Sequence, residues 1–265
     1  MRVGAFILAA QFPGQGQGEA LHRAVRSAEV AEEAGLDAVW LAEHHFMPYG
    51  VCPSATTLAA LLLGRTHRIG VGTSVSVLPT QHPVALGEQA ALLHLISGGR
   101  FTLGVGRGGP WVDLEVFGTG LDAYEKHFPE SLDLLLRWLR EPRVGAAGER
   151  HSFREVAVVP RACESLEMPA GPPVVLACTS AGSVRLAAER GLPMLLGDAL
   201  RRRGEGRDGR AVAPPVAGGR AGPGRRRGGG ARLGGRGAGR RHPSGRGRGA
   251  HQGHAGLAAA RPRGP

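Results

Sequence analysis

Glu43, His44 and His45 follow directly on a short apolar run, Ala38 to Ala42, bounded by Gly35 and Pro48. That run reads as a buried strand, so one acid and two imidazoles stand at its carboxyl end. Apolar walls disfavour the charged forms of such groups, which therefore need partners or a task. An imidazole near neutral pH takes or gives a proton, which is general acid–base work. The plainer alternative is a satisfied pair, one ring bonded to the carboxylate and the other to backbone.

Two further stretches have anion-binding chemistry. Gly104-Val105-Gly106-Arg107-Gly108-Gly109 formally matches the dinucleotide pattern G-x-G-x-x-G. Pro110 and Trp111 follow, no helix is expected to start there, and no acid ends the next strand, so the dinucleotide reading is set aside. A glycine-lined bend presenting Arg107 accounts for it better, because a guanidinium meets phosphate in a forked, charge-assisted contact. A solvated surface arginine is the alternative. Thr179-Ser180-Ala181-Gly182-Ser183 opens a helix after a strand. Helix N-termini point unpaired N–H groups at anions, although the same hydroxyls serve equally as plain N-caps. Arg107 with Thr179, Ser180 and Ser183 describes a phosphate pocket on two neighbouring strand ends. Gly72-Thr73-Ser74-Val75 has small residues against which a flat ring could lie, or which simply pack in a barrel wall.

The elements that must position these groups alternate between strand and helix. Strands are expected at Val3–Ala10, Ala38–Ala42, Ile69–Leu78, Phe101–Val105 and Val174–Ala177, with a sixth beginning at Met194–Leu196. Helices are expected around residues 21–34, from a Ser54 cap to Leu63, and over Val84–Ile96. Others run from an Asp122/Glu125 capping box to Arg140 and over Ala181–Arg190. Gly106 to Leu121 reads as loop. Val144 to Pro172 reads as irregular, with a hairpin near Phe153–Val159. Such alternation implies a parallel sheet covered by helices, either open or closed as an eight-stranded barrel. Gln11, Glu43 to His45, Thr80 to His82, Arg107 and Thr179 with Ser180 all follow strands. Functional residue types spread over several loops suit a barrel mouth.

The chain of 265 residues carries a net charge of +11. Residues 1–198 hold 16 basic and 20 acidic side chains, −4, whereas residues 199–265 hold 17 arginines and two acids, +15. The basic character belongs to the tail, so nucleic acid is not an expected partner of the domain. Residues 199–265 contain no Phe, Trp, Tyr, Ile or Met; such a segment buries too little apolar surface to offset its chain entropy and is expected to be disordered. Its Arg, Gly, Ala and Pro share GC-rich codons, as a frameshift near Leu200 would produce; the rival reading is an arginine–glycine RNA-binding tail. Two domains are thus expected, 1–198 and 199–265. Three sparse cysteines, Cys52, Cys163 and Cys178, support neither a disulfide framework nor a metal site and fit a cytoplasmic setting. No apolar run is long enough for a membrane span.

Five separated motifs, in order, resemble the bacterial luciferase-like flavin-dependent monooxygenases. They are Ala42-Glu43-His44-His45-Phe46, the Gly72-Thr73 strand with Leu78-Pro79-Thr80-Gln81-His82-Pro83, Ser97-Gly98-Gly99-Arg100-Phe101, Gly104 to Arg107, and Arg190-Gly191-Leu192-Pro193-Met194. The resemblance covers about residues 1–197. It implies a (β/α)8 TIM barrel that takes reduced FMN and dioxygen and oxygenates an aldehyde or similar small substrate through a flavin hydroperoxide. It also implies an NAD(P)H-dependent flavin reductase as partner, and a homo- or heterodimer. It makes His44 the catalytic histidine, with His45 and Glu43 beside it, and Arg107 the residue on the flavin phosphate. Thr179, Ser180 and Ser183 become further phosphate contacts, Thr179 replacing a glutamate of the luciferase. Ser74-Val75 falls where the family often has a non-proline cis peptide under the flavin ring. Trp40, Phe46 and Val75 would then form an apolar surround. The alternatives are a deazaflavin-dependent oxidoreductase of the same fold and an inactive, truncated flavin-binding homologue, including a luciferase-β-like partner subunit. Only about six of eight strands are present, so an unclosed, poorly stable barrel is expected.

Overall fold

The parallel strands are short and apolar, and helices between them cover one side of the sheet. The structure, a computed structural model, describes residues 1–109, 111–162 and 171–196. The expectations for the tail, including its disorder and the boundary at residue 198, lie outside the described residues.

Strand β1 (Gly4–Ile7) leads to helix α1 (Gln17–Glu33), β2 (Ala38–Leu41) to α2 (Ala55–Arg65), and β3 (Gly70–Thr73) with β4 (Ser76–Val77) to α3 (Pro83–Ile96). Then come β5 (Phe101–Gly106), α4 (Trp111–Val116), α5 (Gly120–Glu125), α6 (Phe128–Arg140), the hairpin β6 (Arg143–Ala147) and β7 (Ser152–Ala157), β8 (Val174–Cys178), α7 (Ala181–Glu189) and β9 (Met194–Leu196). The main sheet runs β1-β2-β3-β5-β8-β9, with β4 also on β5, and every pairing in it is parallel. Among the described residues this is a curled parallel half-barrel of six strands, of TIM-barrel type, in which β1 and β9 pair on one side only.

Local chemistry explains the helices. On α1 the buried Ala20, Ala24, Ala28 and Ala31 repeat at helical spacing, and Gly35, at φ 77°, ends the run. Ser54 caps α2 by accepting from the Thr57 N–H at 3.2 Å. The core lies between sheet and helices. Val39, Leu41, Val71, Phe101, Leu103, Val105 and Leu176 point there and are at most 1% exposed, each worth about 1.5–3 kcal/mol of burial. The opposite, inner face is glycine-rich. A Cβ on Gly72 would stand 2.5 Å from the Trp40 ring, and one on Gly104 would meet the Thr73 carbonyl oxygen. Small residues there let Trp40 lie across the sheet and let β5 pack tightly beside β3. Phe6, on the same face, is 60% exposed.

Four expectations are corrected. The third strand is not continuous: it breaks at Ser74-Val75, where the peptide is cis, and ends in a 3-10 turn at Leu78–Thr80. A short helix, α4, does open at Trp111, inside the expected loop; proline is tolerated just ahead of a helix's first turn. The single helix from Asp122 is instead two, α5 and α6, because Pro129 has no N–H to continue a helix and sits in the first turn of a new one. The hairpin begins earlier, at Arg143.

Candidate active site

Glu43 is buried, and both of its oxygens are committed. Oε2 accepts from the Ala55 N–H at the start of α2 (3.0 Å), and Oε1 from the Val77 N–H of β4 (2.9 Å). One carboxylate thereby fixes β2, α2 and β4 to each other. Its Oε1 also lies 3.7 Å from His45 Nε2, at ion-pair rather than hydrogen-bond distance. His45 is buried, with Phe117 edge-on at 4.9 Å. The Glu43 carboxylate raises the His45 pKa above its ordinary value, against the opposing effect of burial.

His44 is half-buried and is held differently. Its backbone N–H donates to the Cys52 carbonyl (2.9 Å), and its Nε2 is 3.2 Å from the Tyr49 hydroxyl. Gly50 is what lets the ring settle, since a Cβ there would come within 2.5 Å of His44 Nδ1. That Nδ1 is buried with no hydrogen-bond partner among the described residues. Burial pushes the His44 pKa down. The cleft that His44 lines holds about 330 Å3 and is walled by Gln17, Met47, Pro48, Gly50 and Val51. Arg107 is not among its walls. Phe46, expected in the apolar surround, is 58% exposed with φ at 56°.

Arg107 leaves β5 with its guanidinium over two rings, 5.1 Å from the Phe128 centroid and 5.7 Å from that of Tyr124. Its Nε is buried and unpartnered among the described residues. The glycines before and after Arg107 are needed for packing. A Cβ on Gly106 would stand 2.8 Å from Val75, and one on Gly108 would stand 2.6 Å from Val77. That close approach, rather than a dinucleotide turn, explains the glycine pattern.

Ser180 and Ser183 form a reciprocal capping box on α7. Ser180 Oγ accepts from the Ser183 N–H (3.2 Å) and Ser183 Oγ accepts from the Ser180 N–H (3.1 Å). The plainer reading therefore holds for these two hydroxyls. Thr179 is exposed and makes no side-chain hydrogen bond among the described residues.

Because all the strands of the main sheet are parallel, their carboxyl ends lie on one rim. The register Gly104↔Val175 and Val105↔Leu176 carries β5 and β8 side by side to this rim, with Arg107 and Thr179 just past their ends. Val77 links this region to Glu43 by its hydrogen bond and to Gly108 by packing. Gln81 and His82 do not join the rim cluster: Gln81 turns back to the Val77 carbonyl (3.4 Å), and His82 caps α3 and meets the His151 ring edge-on at 5.0 Å. Sequence reasoning missed Asp113 on α4. It is 3% exposed, its Oδ1 is unpartnered among the described residues, and burial raises its pKa against the pull of His45 and His44. It lay in a stretch read as loop. Tyr49, Phe117, Tyr124 and Phe128 were likewise invisible, since ring contacts carry no spacing signal.

An incomplete TIM barrel with a histidine–carboxylate cluster and a stacked arginine on its carboxyl rim is the setting of a barrel enzyme. The luciferase-like monooxygenase family matches residues 1–215, and the chain belongs to that family. It is 37% identical over 196 residues to the alkanal monooxygenase alpha chain of the Kryptophanaron alfredi symbiont, covering 74% of this chain and 54% of that one. The chain therefore spans about half the length of that relative. Among solved structures, monooxygenase RslO1 from Streptomyces bottropensis matches with TM-score 0.66 and 28% identity over 73% of this chain and 59% of that one. The oxygenating constituent of 3,6-diketocamphane monooxygenase from Pseudomonas putida, in complex with FMN, matches in fold with TM-score 0.62 and 23% identity, over 74% and 57% of the two chains. No helix among the described residues is long and apolar enough to cross a membrane, and no group of three metal-ligating side chains occurs among them.

Proposed function

We propose that this chain is a flavin-dependent monooxygenase that uses reduced FMN and dioxygen to convert an aldehyde into the carboxylic acid, releasing oxidised FMN and water. The observation carrying this reading is the pair of orphaned nitrogens on one barrel rim, His44 Nδ1 and Arg107 Nε, each buried with no partner among the described residues. Buried donors and acceptors are normally satisfied, so both fit a bound group. Arg107, stacked on Phe128, would hold the FMN phosphate with the Thr179 hydroxyl and the N–H groups opening α7. The glycine-rich inner face at Ser74, Val75, Gly104 and Gly106 would receive the ring. Bound flavin supplies the oxygen-activating chemistry. His44, kept neutral by burial, takes a proton at Nδ1; Tyr49 fixes its ring through Nε2. Glu43 acts by positioning, since both its oxygens hold backbone, and His45 is set by Glu43 and Phe117. A separate NAD(P)H-dependent reductase would supply the reduced flavin.

The test mixes the purified chain with chemically reduced FMN, oxygen and decanal. One decanoate per FMN is expected, and His44→Ala should lower the yield by roughly 10²–10⁴-fold while FMN still binds. If the unaltered chain sends all its reducing equivalents to hydrogen peroxide, the oxygenase reading fails. A second reading, flavin binding without turnover, draws on the open sheet and the exposed Phe6; FMN binding with no decanoate would favour it. Preferential binding of a reduced deazaflavin in the same assay would favour the hydride-transfer alternative.

A further inference from the structure

Away from the rim, a groove of about 610 Å3 runs between the start of α3, helix α6 and the β6–β7 hairpin. Its lining has an apolar part, Val84, Trp138, Phe153 and Val156, and donors: the Arg150 guanidinium, His82, His151 and the Ser152 hydroxyl. No carboxylate lines it.

Three observations point to an anionic ligand with an apolar body. Arg150 makes one long side-chain hydrogen bond, 3.4 Å to the Thr119 carbonyl, and no ion pair among the described residues. The Glu130 carboxylate is committed to backbone: its oxygens accept the N–H groups of Arg150 and His151 at 2.9–3.2 Å. The Trp138 indole, 5% exposed, supplies a broad apolar surface to the groove beside Val84, Phe153 and Val156. The imidazoles add to the pattern. His82 Nδ1 accepts from the Val84 N–H at 3.2 Å, which leaves the neutral ring's proton on Nε2. His151, edge-on to His82 at 5.0 Å, is anchored through Nε2 to the Ser131 hydroxyl at 2.9 Å.

We propose that this groove binds a small amphipathic monocarboxylate, its carboxylate on Arg150 with help from Ser152 and His82, and its apolar chain along Val84, Trp138, Phe153 and Val156. A bare phosphate would leave the apolar part wet, and a neutral alcohol would leave Arg150 unanswered. The site does not depend on the flavin reading, because none of its residues is among those assigned to the flavin.

The experiment titrates octanoate into the full chain, with and without saturating FMN, by calorimetry and tryptophan emission. One site is expected, unaffected by FMN. Arg150→Gln should weaken it at least tenfold without changing the melting temperature. Octanol should bind at least tenfold more weakly, and inorganic phosphate should not compete. Val84→Asp, in the apolar part of the lining, should also abolish binding. Equal affinity in Arg150→Gln, competition by phosphate at the octanoate concentration, or binding lost with FMN present would each overturn the proposal. So would sedimentation showing a dimer that Arg150→Gln dissociates, with no octanoate bound, since a second copy would then cover the groove.

Discussion

His44 and His45 are adjacent, yet their surroundings drive their protonation apart. Burial lowers the pKa of His44, while Glu43 raises that of His45. The sign for activity follows. If the reaction needs neutral His44, the acid limb of the pH–rate profile falls below the ordinary 6.5, with the rate rising as pH climbs through that depressed value. A stopped-flow pH series checks this, and a limb at or above 6.5 contradicts it. For stability, a base depressed in the folded state binds fewer protons there than in the unfolded chain, so His44 makes the fold less stable as pH drops below 6.5. Glu43→Ala removes acceptors from two buried N–H groups. A loss of roughly 1–3 kcal/mol for each orphaned donor is expected, read as a lowered denaturation midpoint. Arg107→Lys keeps the charge but loses the planar stack on Phe128 and the forked contact. FMN affinity should fall about tenfold, measured by fluorescence quenching.

At the scale of elements, single carboxylates tie segments together. Glu32, near the end of α1, accepts the N–H groups of His67 (2.9 Å), Arg68 (2.6 Å) and Ile69 (3.0 Å) on one oxygen, which anchors the turn entering β3. Those backbone bonds, led by that from Ile69, lower its pKa from the ordinary 4.5 to about 2. A depressed carboxylate contributes stability above its unfolded pKa and loses that contribution as pH falls through the folded value. Denaturation curves should therefore show a stability loss between pH 4.5 and about 2 that Glu32→Gln flattens. On α7 the reciprocal cap means that Ser180→Ala costs about 0.5–2 kcal/mol. Because both serine hydroxyls serve the cap, their alanine variants should shift the melting temperature before they shift FMN affinity. An FMN affinity loss without any thermal shift would restore them as phosphate ligands.

For the whole molecule, the dominant feature is the open sheet. Among the described residues β1 and β9 each lack a neighbour on one side, and Phe6, Met194 and Leu196 are 60%, 37% and 68% exposed. Unpaired edges and an uncovered apolar face invite association. The 265-residue chain should bind a hydrophobic dye such as ANS in native buffer. A dye-silent, cooperatively unfolding 265-residue chain would show that the face is covered.

Much was legible in the residues alone. Alternating apolar runs and helical repeats marked every strand of the main sheet, and the Glu43-His44-His45 and Arg107 stretches stood out because charged groups at buried strand ends are costly. Local rules also located the Ser54 cap and the Gly35 stop, since both act within one turn of backbone. What the sequence could not supply was which partner each group would choose. Glu43 took two backbone N–H groups, Ser180 and Ser183 satisfied each other, and Asp113 came near the histidines only once α4 had folded. Hydrogen-bond partners and burial are set by residues distant in the chain. Only the closed packing of sheet, helices and loops decided which atoms were left unsatisfied on the rim and in the groove.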